Sequence, residues 1–64
     1  MVPQRIQIYR LIRDHGPLHI NEIADRMPSV GRHTLHERLS ELASGRWPWF
    51  RVRRVMRGVY EVEQ

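Results

Sequence analysis

Arg32, Arg53, Arg54 and Arg57 are the side chains of this chain whose type and grouping point most directly to chemistry. A guanidinium is a planar fork of donors that matches phosphate oxygens and the O6/N7 edge of guanine, where an ammonium is only a point charge. All eleven cationic residues are Arg and none is Lys; seven carboxylates oppose them, leaving +4 with His neutral. A bias toward Arg codons would also remove Lys. The excess charge favours a polyanionic partner whatever its origin.

Other chemistries are poorly supplied. His33 and His36, three residues apart, can meet on one helical face, yet no Cys and no carboxylate cluster completes the three or four ligands of a zinc site. No metal and no cofactor is therefore expected. Protonating both rings at lower pH would add positive charge to that face. Ser29, Ser40 and Ser44 have no activating partner set by spacing, and Glu22 with Asp25 or Glu37 with Glu41 read as solvated helix faces. A catalytic set of nucleophile, base and orienter is missing, so the expectation is a binding protein and not an enzyme.

The elements that must position the arginines follow from hydrophobic spacing. Ile6, Ile8, Tyr9, Leu11 and Ile12 alternate with Arg5, Gln7, Arg10 and Arg13, predicting a first helix over about residues 3 to 15, with Pro3 in its first turn and Gly16-Pro17 ending it. Leu18 to Ile20 read as a short extended stretch. Asn21 is the expected N-cap of a brief second helix, Glu22 to Met27, with Ile23, Ala24 and Met27 inward and Pro28 stopping it. After the turn Pro28-Ser29-Val30-Gly31, Leu35, Leu39 and Leu42 mark one face of a third helix that ends at Gly45. His33, His36, Glu37 and Ser40 fall on its opposite half, with Arg32 at its N-terminal edge.

The C-terminal segment reads as a β-hairpin whose register side-chain matching decides. A two-residue loop at Arg57-Gly58 would pair Arg53 with Val62 and Val52 with Glu63. A three-residue loop, Met56-Arg57-Gly58, pairs Val55 with Val59, Arg53 with Glu61, Val52 with Val62 and Arg51 with Glu63. The second is preferred because it joins like with like and opposite charges, with Gly58 supplying a left-handed residue. Arg57 then projects from the tip, with Arg53 and Arg54 just behind it.

In this order of elements the chain resembles a winged helix-turn-helix DNA-binding domain of the small bacterial and phage regulator type. The residues that carry the resemblance are Gly16-Pro17-Leu18, Glu22-Ile23-Ala24, Thr34-Leu35-His36-Glu37-Arg38-Leu39-Ser40-Glu41-Leu42, Gly45, and the hairpin from Phe50 to Val62. The fold it implies is α+β, three helices followed by a two-stranded β-hairpin wing, with residues 1 to 64 forming one domain. It further implies that the third helix lies in the major groove of double-stranded DNA while the wing reaches backbone or minor groove. Arg32, His33, His36, Glu37 and Ser40 become candidates for base edges, and Arg57 with Arg53 or Arg54 for wing contacts. Ser29 and Thr34 become phosphate donors near the helix start.

One segment departs from that pattern. Arg46-Trp47-Pro48-Trp49-Phe50 stands where a simple aliphatic strand is more usual. Two readings are open: a lid over the first and third helices, or an aromatic anchor, Trp47, Trp49 and Phe50, for a protein partner or second subunit. A lone recognition helix buries little, so specificity suggests a homodimer on a palindromic or repeated site. The expected role is a small transcriptional regulator such as a repressor, suited by size and simplicity to a phage or mobile element. With no 18-residue apolar run, and no apolar stretch of a signal peptide in residues 1 to 15, no membrane partner is expected and a cytoplasmic location is.

Overall fold

The computed structural model describes residues 2–63. Three helices, α1 (Gln4–His15), α2 (Ile20–Arg26) and α3 (Arg32–Ala43), combine with strands β1 (Leu18–His19), β2 (Val52–Met56) and β3 (Val59–Val62) into a small α+β domain. The sheet is antiparallel and three-stranded, in the order β1-β3-β2. The expected two-stranded hairpin thus gains a third strand, because Leu18 pairs with Tyr60 and His19 with Val59. The extended stretch after Pro17 supplies it.

The core forms where the helices meet the base of the sheet. Ile8 and Ile12 of α1, Ile23 of α2, Leu35, Leu39 and Leu42 of α3 and Val52 of β2 are all almost completely buried. Each such side chain contributes roughly 1.5–3 kcal/mol relative to exposure. The expected stripe Leu35-Leu39-Leu42 is the inward face of α3, and α1 packs across it and against β3. Helix α1 begins one residue later than expected: Pro3 caps it, its carbonyl accepting from the amides of Ile6 and Gln7.

Helix α2 starts earlier than the sequence suggests, and its cap is His19 in place of Asn21. Ile20 is buried, which turns the first helical residue inward and leaves Asn21 exposed inside the helix. The Asn21 amide donates to His19 Nδ1 over 3.0 Å, and the His19 amide donates to Glu22 Oε1 over 3.0 Å. This reciprocal pair satisfies two backbone donors that a helix start otherwise leaves open.

The hairpin combines features of both registers. Arg53 pairs with Glu61 and Val52 with Val62, as side-chain matching requires, and the Glu63 amide donates to the Arg51 carbonyl. The tip, however, is the two-residue turn Arg57-Gly58, with Met56 in place of Val55 opposite Val59. A bulge between Arg54 and Met56 absorbs the extra residue, Val55. Bulges add one unpaired residue on one strand and bend it, so a short turn and matched pairs coexist.

Beyond Val52 no residue of β2 is buried, and the outer half of that strand leaves the core. The hairpin is held there through β3, whose Val59 and Tyr60 pair with β1, and at its tip, where the Ile20 amide donates to the Gly58 carbonyl over 2.7 Å. Gly58 has φ +77°, and a Cβ there would stand 2.7 Å from His19 Nε2. Glycine is required twice over, for its backbone angle and for this close approach.

Candidate nucleic-acid interface

Strand alternation sorts the hairpin arginines. Val52 and Arg54 share one face of β2 with their partners Val62 and Tyr60 on β3, and next to Tyr60 stands Leu18 of β1. At the base this face covers the core. Toward the tip it opens into a cleft of about 390 Å³ lined by Arg54, Arg57, Gly58 and Tyr60 of the hairpin, His19 and Ile20, and Arg32 and His36 of α3. Arg53 points to the other face, where its Nε donates to Glu61 Oε1 over 2.6 Å.

The remaining charges are distributed so that this cleft stays cationic. Arg5 and Arg38 share Glu41, Arg13 lies 3.1 Å from Asp14, Arg51 lies 3.5 Å from Glu63, and Arg53 pairs with Glu61. Arg32, Arg54 and Arg57 stand outside all of these pairs, and among the described residues no carboxylate lines the cleft. Exposed pairs add little to stability. Their effect is electrostatic: five arginines are matched with carboxylates away from the cleft lining, while Arg32, Arg54 and Arg57 line one concavity without such a partner.

Helix α3 presents the rest of the expected face. His33, His36, Glu37 and Ser40 are exposed, and Thr34 is half-buried in the first turn. His33 Nε2 lies 3.3 Å from Glu37 Oε1, so these two side chains occupy each other one turn apart. Gly31 caps α3 without a side-chain bond, leaving its first amides open, and exposed Ser29 lies in the preceding turn. Among the described residues no group of three His or carboxylate side chains is placed to hold a metal ion.

The aromatic segment divides between the two readings. Trp47 and Phe50 pack against the core; the Phe50 ring meets Tyr9 edge-on at 5.3 Å, and the Arg5 guanidinium lies 4.4 Å from the Trp47 ring centre. Trp49, between them in sequence, is 81% exposed. The turn that brings the Phe50 amide to the Trp47 carbonyl, 2.9 Å, carries Pro48 and Trp49 outward. Trp47 and Phe50 form a lid over α1, and Trp49 does not belong to it.

Sequence reasoning named Arg32 and His36 for base edges and Arg57 with Arg53 or Arg54 for the wing; the structure brings Arg32, His36, Arg54 and Arg57 to one cleft, sends Arg53 to the other face, and adds His19 and Tyr60, which were not among the expected binding residues. Tyr60 was within reach, because the register that pairs Arg53 with Glu61 also sets Tyr60 opposite Arg54. His19 was not, since its place depends on the pairing of β1 with β3. No helix is long and apolar enough to cross a membrane among the described residues. Neither a protein-family model, nor a curated protein, nor a solved structure matches the chain.

Proposed function

We propose that this protein is a winged helix-turn-helix domain that binds double-stranded DNA and acts as a small transcriptional regulator. The observation that carries the reading is the shared cleft: Arg32 and His36 of α3 line it together with Arg54 and Arg57 of the hairpin, and among the described residues no carboxylate does. Two elements far apart in sequence present cations to one space, as a polyanion bound by both would need. In this reading α3 enters the major groove with His33, His36, Glu37 and Ser40 toward base edges, and the hairpin is the wing. Donor-rich Ser29, Thr34 and the open amides of α3 lie beside the backbone. Occupancy of a site would then block or shape transcription, and two copies on a repeated site would supply specificity.

The test is fluorescence anisotropy of a labelled random-sequence duplex at 50 and 200 mM salt. With about five phosphate contacts, affinity falls on the order of 10²- to 10³-fold between the two conditions. Failure to bind at the lower salt would sink the DNA reading. Trp49 favours one second reading, a protein-interaction module, because a Trp that is 81% exposed beside the Trp47 and Phe50 lid is the kind of side chain that anchors an interface. Under that reading Trp49→Ala abolishes partner capture, and duplex binding is absent.

A further inference from the structure

The cleft is concave, and its chemistry is one-sided. Arg32, Arg54 and Arg57 can only donate hydrogen bonds. His19 Nδ1 already accepts from the Asn21 amide, so the neutral ring carries its proton on Nε2, the nitrogen nearest the hairpin tip at Gly58. Tyr60 packs its ring against the core while also lining the cleft, which adds a hydroxyl held on a rigid strand. His36, the other ring in the lining, offers one donor and one acceptor when neutral, so donors and positive charge outweigh acceptors and favour a ligand that is rich in acceptors and negatively charged.

Shape narrows the choice further. Base edges lie at the floor of a groove and are read by side chains that protrude into it. Side chains that line a hollow meet instead whatever protrudes from the partner, and on a nucleic acid that is the phosphate. A volume of about 390 Å³ stands at the small end of ligand pockets, roughly 300–1,000 Å³. It has room for a phosphate with part of its attached sugar and not for a length of duplex.

We infer that the cleft is the seat of a single phosphate group, gripped between α3 and the hairpin by Arg32, Arg54 and Arg57, with His19 Nε2–H and the Tyr60 hydroxyl as neutral donors. This reassigns Arg32 from base reading to the backbone and gives His19 and Tyr60 a binding role. The inference rests on the DNA reading only for the source of the phosphate: the same chemistry fits a DNA phosphodiester or a free phosphate ester.

The experiment has two arms on the intact chain. In the first, inorganic phosphate is titrated at constant ionic strength while the NMR signals of the His19 ring, the Tyr60 ring and the Gly58 amide are followed. Saturable shifts at all three, lost in Arg54→Ala, are expected; signals that stay still or drift without saturation overturn the seat. In the second, Arg32→Ala and Tyr60→Phe are compared with the unaltered protein on several unrelated duplexes, the Phe variant keeping the ring's packing. Each should weaken binding by the same factor on every sequence. Arg32→Ala should also shrink the affinity ratio between 50 and 200 mM salt by about 3- to 4-fold, one phosphate's share.

A loss confined to one duplex would make Arg32 a base reader and overturn the inference. Duplex binding that ignores these variants removes the seat while leaving the DNA reading in place. Saturable phosphate shifts with no duplex binding do the reverse: the seat stands, its ligand is a free phosphate ester, and the DNA reading falls.

Discussion

Gly58→Ala tests how the hairpin is held, and its cost can be built from the geometry. At φ +77° an L residue pays for a left-handed backbone, roughly 1–2 kcal/mol. The added methyl would also stand 2.7 Å from His19 Nε2, so the ring must move. That ring is pinned by the Asn21 amide at 3.0 Å, and swinging it away forfeits the cap of α2, about 0.5–2 kcal/mol. The total is about 1.5–4 kcal/mol, against a stability of roughly 3–10 kcal/mol expected for a chain this size. Urea unfolding followed by circular dichroism reads it. Gly45→Ala is the matched control: φ is +82°, but its Cβ would meet only Arg51 at an ordinary 3.5 Å, leaving the backbone term alone. In a His19→Ala background the cost of Gly58→Ala should fall to that same backbone term, a coupling of about 1 kcal/mol. If Gly58→Ala costs no more than Gly45→Ala, and the same with or without His19, the tip is not locked to α2 and the reasoning fails.

Three further outcomes separate lid, cleft and reading face. Trp47→Ala should destabilise by about 2–3 kcal/mol in thermal melts, since it removes a packed ring and the surface beneath Arg5, whereas Trp49→Ala should stay within about 0.5 kcal/mol. Arg53→Ala and Arg54→Ala should part company in duplex titrations: Arg54 lines the cleft and its loss weakens binding, while Arg53 sits on the other face against Glu61 and its loss leaves affinity unchanged. His33→Ala and Glu37→Ala should shift sequence preference in a selection from random duplexes with Tm nearly unchanged, because both side chains are exposed; equal losses on all sequences would take them off the reading face.

The helices were largely legible because their signals are local. The stripe of Leu35, Leu39 and Leu42 fixed which side of α3 faces inward, and hence which side carries His33, His36, Glu37 and Ser40 outward. The hairpin register was legible for a related reason, since Arg53 with Glu61 and Val52 with Val62 match side chain to side chain. What escaped depends on contacts between distant segments. Leu18 to Ile20 read as extended, and Leu18–His19 is, but a two-residue strand has no periodicity that tells which strand it joins, so its pairing with β3 escaped. The cap of α2 escaped with it: Asn is the better cap by type, but the burial of Ile20 moves the helix start and hands the role to His19. The bulge at Val55 is likewise a compromise between turn length and pair matching, which neither consideration shows alone.

These non-local features are also what turn a list of arginines into a site. In sequence, Arg53 and Arg54 are equivalent neighbours, and net charge counts them alike. Alternation along β2 sends one to Glu61 and the other to the cleft, and the bulge sets where the tip bearing Arg57 comes to rest. Pairing β1 with β3 then brings His19 under that tip, where a hydrogen bond from Ile20 to Gly58 also ties the hairpin to the start of α2. The turn from α2 leads directly into α3, which carries Arg32 and His36 on the facing wall. Hairpin and α3 therefore wall one cleft, and the bond at the tip joins the hairpin to the helix that leads into α3. The small contribution of each exposed ion pair to stability is consistent with this arrangement, because the carboxylates matter here for where they are absent.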